Sequence, residues 1–101
     1  MKVEVLYFDG CPNHRPALER VQSILREEGI SDVVSEIEVG NQETAKDLGF
    51  PGSPTIRVNG LDIEPDSRCL AAGALACRRY PGGLPSEETI RAAVREARAQ
   101  R

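Results

Sequence analysis

The spacing of apolar residues changes from strand-like to helix-like within the first third of the chain. Residues 3–8 are apolar at every position except one, and their β-branched and aromatic side chains predict a strand buried on both faces. From Ala17 onward the apolar residues recur at the period of a helix, and charged residues take the opposite side. Gly29 is a typical C-terminal stop for this helix. Its predicted apolar face consists of Leu18, Val21, Ile24 and Leu25.

The middle of the chain shows a second strand followed by a short helix. Residues 33–39 alternate between two faces, which predicts a strand. Asn41 is a suitable N-cap for a helix that runs to about Leu48. Gly49, directly after it, favours an end to the helix at that point. The pattern up to here is therefore strand, helix, strand, helix.

A hairpin and a third helix complete the pattern. The sequence PTIRVNGLDI predicts a strand at 55–58, a tight turn at Asn59-Gly60, and a returning strand at 61–63. The last helix is expected to open at Ser86, whose hydroxyl is suited to cap it. Its predicted apolar face consists of Ile90, Ala93, Val94 and Ala97.

The order β-α-β-α-β-β-α predicts an α/β fold in one domain spanning residues 1–101. A β-α-β unit with parallel strands crosses over in the right-handed sense, so we expect the first two strands to lie parallel. The hairpin after the second helix then completes a four-stranded mixed sheet flanked by three helices. Residues 64–85 carry two of the cysteines and are predicted to be an irregular insert, with a brief helical turn at 68–76.

Length and charge limit the classes of function. A chain of 101 residues is long enough for one core and not for two. The net charge of −3 gives no electrostatic basis for binding nucleic acid or a membrane surface. Because no apolar run is long enough to span a bilayer and the N-terminal segment has no secretory pattern, we expect a cytoplasmic location.

The chain has three cysteines, an odd number that cannot close into a complete set of disulfides. In a reducing compartment, cysteines at marked positions are more often redox-active or metal-binding than structural. The alternative is that they are small buried hydrophobic residues. None of the three lies in a predicted strand or helix core, which favours chemistry over packing.

Two local sequences indicate a known family. The motif CPNH at 11–14 lies where the first strand passes into the first helix, and GSPT at 52–55 puts a proline directly before the third strand. Together with the predicted order of elements, they resemble the thioredoxin/glutaredoxin superfamily. The chain is most similar to small bacterial thioredoxin-like proteins that have Gly-Cys-Pro-Asn in place of a complete Cys-x-x-Cys. The resemblance covers nearly the whole chain outside residues 64–85.

This resemblance implies roles for two residues. Cys11 corresponds to the nucleophilic cysteine of the family, and Pro54 corresponds to the cis-proline that lies against the active-site sulfur. The cis form of an X–Pro bond is accessible at modest cost, and the alternative is an ordinary trans proline that begins a strand. His14 stands where the family has its second, resolving cysteine. The motif alone therefore cannot complete a dithiol–disulfide cycle.

The sequence also suggests how Cys11 is activated. We expect it at the N-cap or first position of the first helix, where unpaired N–H groups stabilise a thiolate, with Pro12 as the first helical residue. His14 would stabilise the thiolate as a cation or accept the thiol proton as a neutral base. The alternative for His14 is a solvated helix residue. Pro16 is expected to delay the regular helix until Ala17.

The predicted topology brings the irregular insert toward Cys11. If the third strand is antiparallel to the first, Pro54 lies at the Cys11 end of the sheet, and the fourth strand finishes there too. Cys69 and Cys77 then come within reach of Cys11, and three arrangements remain open. One of the two resolves a mixed disulfide or sulfenic acid on Cys11, or the two pair with each other. Alternatively, both join Cys11 and His14 in a soft-metal site for zinc, copper(I) or a mercurial.

The expected function is thiol–disulfide exchange through Cys11, without a cofactor, on a disulfide-containing protein or a low-molecular-weight thiol. Arg78, Arg79 and Tyr80 would hold an anionic thiol such as glutathione, or else form a solvated basic turn. Glutathione is disfavoured, because the Gly-Gly that glutaredoxins keep after the last strand is replaced by EPD at 64–66. The alternative functions are a soft-metal-binding protein and a non-catalytic binding module.

Overall fold

The computed structural model describes residues 1–50, 52–64, 80 and 84–99. Within them the elements follow the predicted order β-α-β-α-β-β-α. Their bounds are β1 Val3–Tyr7, α1 His14–Glu27, β2 Val34–Glu38, α2 Gln42–Leu48, β3 Thr55–Val58, β4 Leu61–Asp62 and α3 Glu87–Ala99. The helical turn predicted at 68–76 lies outside the described residues. Among the helices described, none is both long and apolar enough to cross a membrane.

The four strands form one mixed sheet in the order β2-β1-β3-β4. β1 pairs in parallel with β2 and antiparallel with β3, and β4 returns antiparallel to β3. In the central pair, Val3 lies opposite Val58 and Leu6 lies opposite Thr55. β3 therefore starts at the end of the sheet where β1 finishes. The predicted mixed four-stranded sheet and its strand directions are confirmed.

The side chains of β1 divide the core into two layers, because successive residues of a strand point to opposite faces. Val3 and Val5 pack with buried residues of α1 and α3 on one face. Leu6 points the other way and packs with Ala45 of α2 and with Phe50. Helices thus cover both faces of the sheet, and the burial of these side chains is the main stabilising contribution to the fold.

Short-range signals set the ends of α2 and the turn between β3 and β4. The Asn41 side chain accepts a hydrogen bond from the Thr44 N–H at 2.7 Å, and Gly49 ends the helix in the left-handed conformation with φ 60°. Asn59 and Gly60 both have positive φ, as a tight type I′ hairpin turn requires. The predicted cap, stop and turn are therefore confirmed.

The second strand is shorter and more exposed than its sequence pattern suggested. β2 begins at Val34, and Val33 before it is 85% exposed. The reason is the place of β2 at an edge of the sheet, where β1 is its one partner strand within the described residues. Ile37 packs on the α2 side. Glu36 and Glu38 lie on the opposite face, the one covered by α1.

One carboxylate joins the end of α1 to α3. Glu28, directly after α1, has a side chain only 10% exposed, and its Oε1 lies 3.1 Å from Arg95 Nε. Arg91 and Arg98 add longer ion pairs to the same carboxylate, at 3.7 and 3.9 Å. The hydrogen bond from Arg95 lowers the pKa of Glu28 below its usual value against an opposing effect of burial, and the arginine charges lower it further.

Replacing Glu28 by Gln should destabilise the protein at neutral pH and much less in acid. Because the folded pKa is lowered, the stabilising contribution of this carboxylate is present above the unfolded pKa and is lost as the pH falls through the folded pKa. Urea unfolding at about pH 7 and about pH 3 should show a loss for Glu28→Gln that shrinks at the lower pH. Glu19→Gln, an exposed carboxylate on α1, is the control, and equal losses in both variants would contradict the assignment.

Candidate thiol site

Two successive β-turns carry the chain from β1 into α1, and Cys11 belongs to both. In the first turn, the Cys11 N–H donates to the Phe8 carbonyl at 3.2 Å, and Gly10 has φ 88°. A positive φ at the third residue is the mark of a type II turn, which favours glycine at that position. A Cβ at Gly10 would meet nothing within 4 Å. The requirement for glycine is therefore one of backbone conformation and not of space.

The second turn corrects the expected position of Cys11. The His14 N–H donates to the Cys11 carbonyl at 3.3 Å, and Asn13 between them has φ −96° and ψ 0°. These are type I values, and Pro12 holds the second position that proline favours in such turns. α1 begins at His14 with Asn13 as its N-cap. Cys11 thus lies two residues before the cap, and the prediction that Pro12 is the first helical residue is wrong.

Pro16 does not delay the helix as expected. It is the third residue of α1, where a backbone N–H would have no acceptor inside the helix, so its missing N–H costs nothing. The first hydrogen bond of the helix already runs from the Ala17 N–H to the Asn13 carbonyl at 3.1 Å. Because α1 starts at His14, Pro16 falls in the first turn of the helix and is compatible with it.

Cys11 is a free cysteine of intermediate exposure. Its backbone N–H and carbonyl are both hydrogen-bonded in the two turns, so these turns hold the residue in place. The residue as a whole is partly exposed. Such partial exposure is typical of reactive cysteines, whereas buried ones are inert.

The loop that contains Pro54 lies at the same end of the sheet as Cys11. Pairing of β1 with β3 puts Thr55 beside the end of β1, and the Phe8 N–H donates to Ser53 Oγ at 3.4 Å. The Ser53–Pro54 peptide bond is cis. Ser53, Pro54 and Thr55 are all buried. The loop therefore forms a packed wall next to the segment that leads into Cys11.

Tyr80 ties a distant part of the chain to this loop. Its side chain is buried, and its hydroxyl donates to the Pro54 carbonyl at 2.7 Å. The Tyr80 hydroxyl therefore makes a structural hydrogen bond inside the fold, which the sequence did not indicate. Arg78 and Arg79, which were expected to act with Tyr80 on an anionic thiol, lie outside the described residues.

His14 makes two contacts that the sequence did not predict. Its Nε2 lies 2.8 Å from Glu36 Oε1, and its ring stacks on Tyr7 with centroids 3.6 Å apart and planes 4° apart. Burial raises the pKa of Tyr7 above its usual value, and the carboxylates of Glu38, Glu36 and Asp9 raise it further. The alternative of a solvated helix residue is wrong, because the His14 side chain is only 17% exposed.

The described residues do not test the predicted contribution of the other two cysteines. Cys69 and Cys77 lie outside the described residues, so resolution of Cys11, mutual pairing and metal binding all stay predictions. Within the residues that are described, no group of three or more His, Cys, Asp or Glu side chains could hold a metal ion. His14 Nε2, one ligand of the proposed metal set, is bound to Glu36 instead.

Comparison with known proteins assigns no family to the chain. No protein-family model, curated protein or solved structure matches it. The described elements form an α/β fold with a four-stranded mixed sheet.

Replacing Gly10 by alanine should destabilise the turn that holds Cys11. At φ 88° an alanine Cβ would crowd its own backbone, so the free energy of unfolding should fall by about 1–2 kcal/mol. Gly40→Ala is the matched control, since Gly40 is exposed, has no left-handed φ and would likewise place a new Cβ in open space. Chemical denaturation measures both variants. A loss of the same size at Gly40 would show that the turn geometry is not the cause.

Replacing Tyr80 by phenylalanine should remove the hydrogen bond to Pro54 and leave that buried carbonyl without its donor. The expected loss in unfolding free energy is about 1–3 kcal/mol. Tyr7→Phe is the control, because phenylalanine keeps the ring that stacks on His14. Urea denaturation of both variants compares the two hydroxyls. Equal losses would argue against a specific role for the contact between Tyr80 and Pro54.

Proposed function

We propose that this chain is a thioredoxin-like thiol protein that exchanges disulfides through Cys11. The observation that carries the proposal is a free, partly exposed cysteine on the turn between β1 and α1, at the sheet end where the buried Pro54 loop also lies. The order of elements and the helices on both faces of the sheet support the thioredoxin-like assignment.

The chemistry follows from a single nucleophilic thiol. The Cys11 thiolate attacks one sulfur of a substrate disulfide, a mixed disulfide forms at Cys11, and the other substrate sulfur leaves as a thiolate. If the second thiolate comes from solution, it attacks the substrate sulfur of the mixed disulfide, releases Cys11 as a thiolate and forms a new mixed disulfide, which a further thiolate from solution cleaves. If it is another cysteine of the chain, it attacks Cys11 Sγ, releases the remaining substrate thiolate and leaves a disulfide with Cys11, which two thiols from solution then reduce. In both cases two thiols from solution are oxidised to one disulfide as the substrate disulfide is reduced to two thiols. No cofactor is needed, and the reductant is a thiol.

The source of the second thiol separates two versions of the mechanism. His14 stands where a resolving cysteine would be, and its Nε2 is bound to Glu36, so the CPNH motif supplies no second sulfur. The resolving thiol is then Cys69 or Cys77 of the same chain, or a low-molecular-weight thiol from solution. We place this activity in the cytoplasm, where thiols stay reduced.

Replacing Cys11 by serine should reduce disulfide exchange to the uncatalysed rate, because a serine hydroxyl is not ionised and cannot displace a thiolate. The assay mixes reduced protein with hydroxyethyl disulfide, a small uncharged substrate, and follows the mixed disulfide by mass spectrometry. Dithiothreitol then supplies the second thiol for turnover. Full activity in Cys11→Ser would refute the proposal.

The variants Cys69→Ser and Cys77→Ser are the matched controls. If one of these residues resolves the mixed disulfide, its serine variant will accumulate the adduct on Cys11 in the absence of dithiothreitol, and the other variant will not. If neither does, both will release the adduct at the wild-type rate, and the second thiol comes from solution. A wild-type Cys11 that reacts no faster than free cysteine would instead favour a non-catalytic binding module.

A further inference from the structure

The start of α1 is held against the sheet by a small cluster of side chains, His14, Tyr7 and Glu36. The imidazole lies flat on the Tyr7 ring, and its Nε2 is hydrogen-bonded to the Glu36 carboxylate of β2. The His14 side chain is 17% exposed and that of Glu36 is 43% exposed. The imidazole is therefore oriented from two sides by two different strands.

The surroundings of this imidazole are acidic. Glu36 binds it directly, and the Glu38 and Asp9 carboxylates are close enough to act on the neighbouring Tyr7 hydroxyl. On its own helix the adjacent charged residue is Arg15, which is exposed. A protonated His14 offsets part of this negative charge, whereas a neutral His14 leaves the carboxylates to disfavour any further anion nearby.

His14 is also linked directly to Cys11. The backbone N–H of His14 donates to the Cys11 carbonyl and closes the turn that presents the thiol. The residue that Glu36 orients is thus the same residue to which Cys11 is hydrogen-bonded. Of the two residues in this pair, His14, which carries a positive charge when protonated, is the one attached to the Cys11 turn.

We propose that Glu36 is a positioning residue for Cys11 and acts through His14. Its carboxylate holds the His14 imidazole on Tyr7, at the helix start whose N–H is bonded to Cys11, so that the histidine, and not a carboxylate, is the member of the pair next to the Cys11 turn. This inference deepens the proposed function and rests on it. It assigns to His14 the role of an oriented counter-charge instead of a base that removes the thiol proton.

The proposal predicts an unusual sign for Glu36→Gln. Removal of a nearby negative charge on its own favours the thiolate and speeds alkylation. If Glu36 acts by holding His14, Glu36→Gln instead slows alkylation of Cys11 by at least about twofold in the acid part of the pH range, and the difference shrinks as the pH rises.

The test follows alkylation of Cys11 by iodoacetamide, in which the thiolate displaces iodide, as a function of pH. Trypsin releases a fragment that contains Cys11 and neither of the other cysteines, so mass spectrometry gives its rate in the full-length chain. Glu38→Gln is the matched control, since it removes the same charge from the same face of β2 and leaves the bond to His14 intact. Glu36→Asp keeps the charge and should retain the wild-type profile.

A double variant decides whether the effect passes through His14. In a His14→Gln background, Glu36→Gln should no longer slow alkylation at any pH. The proposal is overturned if Glu36→Gln behaves like Glu38→Gln across the pH range, or if its effect persists without His14. Alkylation requires no disulfide substrate, so these results are independent of the exchange assay. A chain with the predicted pH profile and no disulfide exchange would refute the proposed function and leave the role of Glu36 standing.

Discussion

The antiparallel pairing of β1 with β3 is the constraint on which the rest of the structure depends. It places Ile56 and Val58 in the same apolar core as Val3 and Val5, and it puts Thr55 beside the end of β1. A shift of one residue would turn every side chain of β3 to the opposite face. The burial of aliphatic side chains therefore sets the register. The register in turn determines which loops meet at the Cys11 end of the sheet.

Much of the fold could be predicted because its signals are local. The Asn41 cap, the Asn59-Gly60 turn and the buried face of α3 each depend on residues close together in sequence, and the structure has all three. The start of α1 was predicted wrongly for an equally local reason. Pro12 suits the first position of a helix and also the second position of a type I turn, and the sequence does not distinguish between them.

The candidate site was predictable only in part. Cys11 could be found because a cysteine at a junction of strand and helix is visible in the sequence. The partners of the site could not be found in this way, because they are distant in sequence. Glu36 lies 22 residues from His14, and Tyr80 lies 26 residues from Pro54. In the sequence Glu36 is one polar member of an alternating strand. Its contact with His14 depends on how β2 lies along β1 and where α1 begins, and neither is encoded by a short pattern.

The glutamates on β2 have a consequence beyond the thiol. β2 is an edge strand, and within the described part of the chain its outer N–H and C=O groups meet no further strand. Such an edge invites another copy of the same strand to add to the sheet and begin an aggregate. Glu36 and Glu38 would then meet like charges on the incoming strand, which disfavours pairing. The two glutamates of β2 thus also disfavour edge-to-edge association of neighbouring molecules.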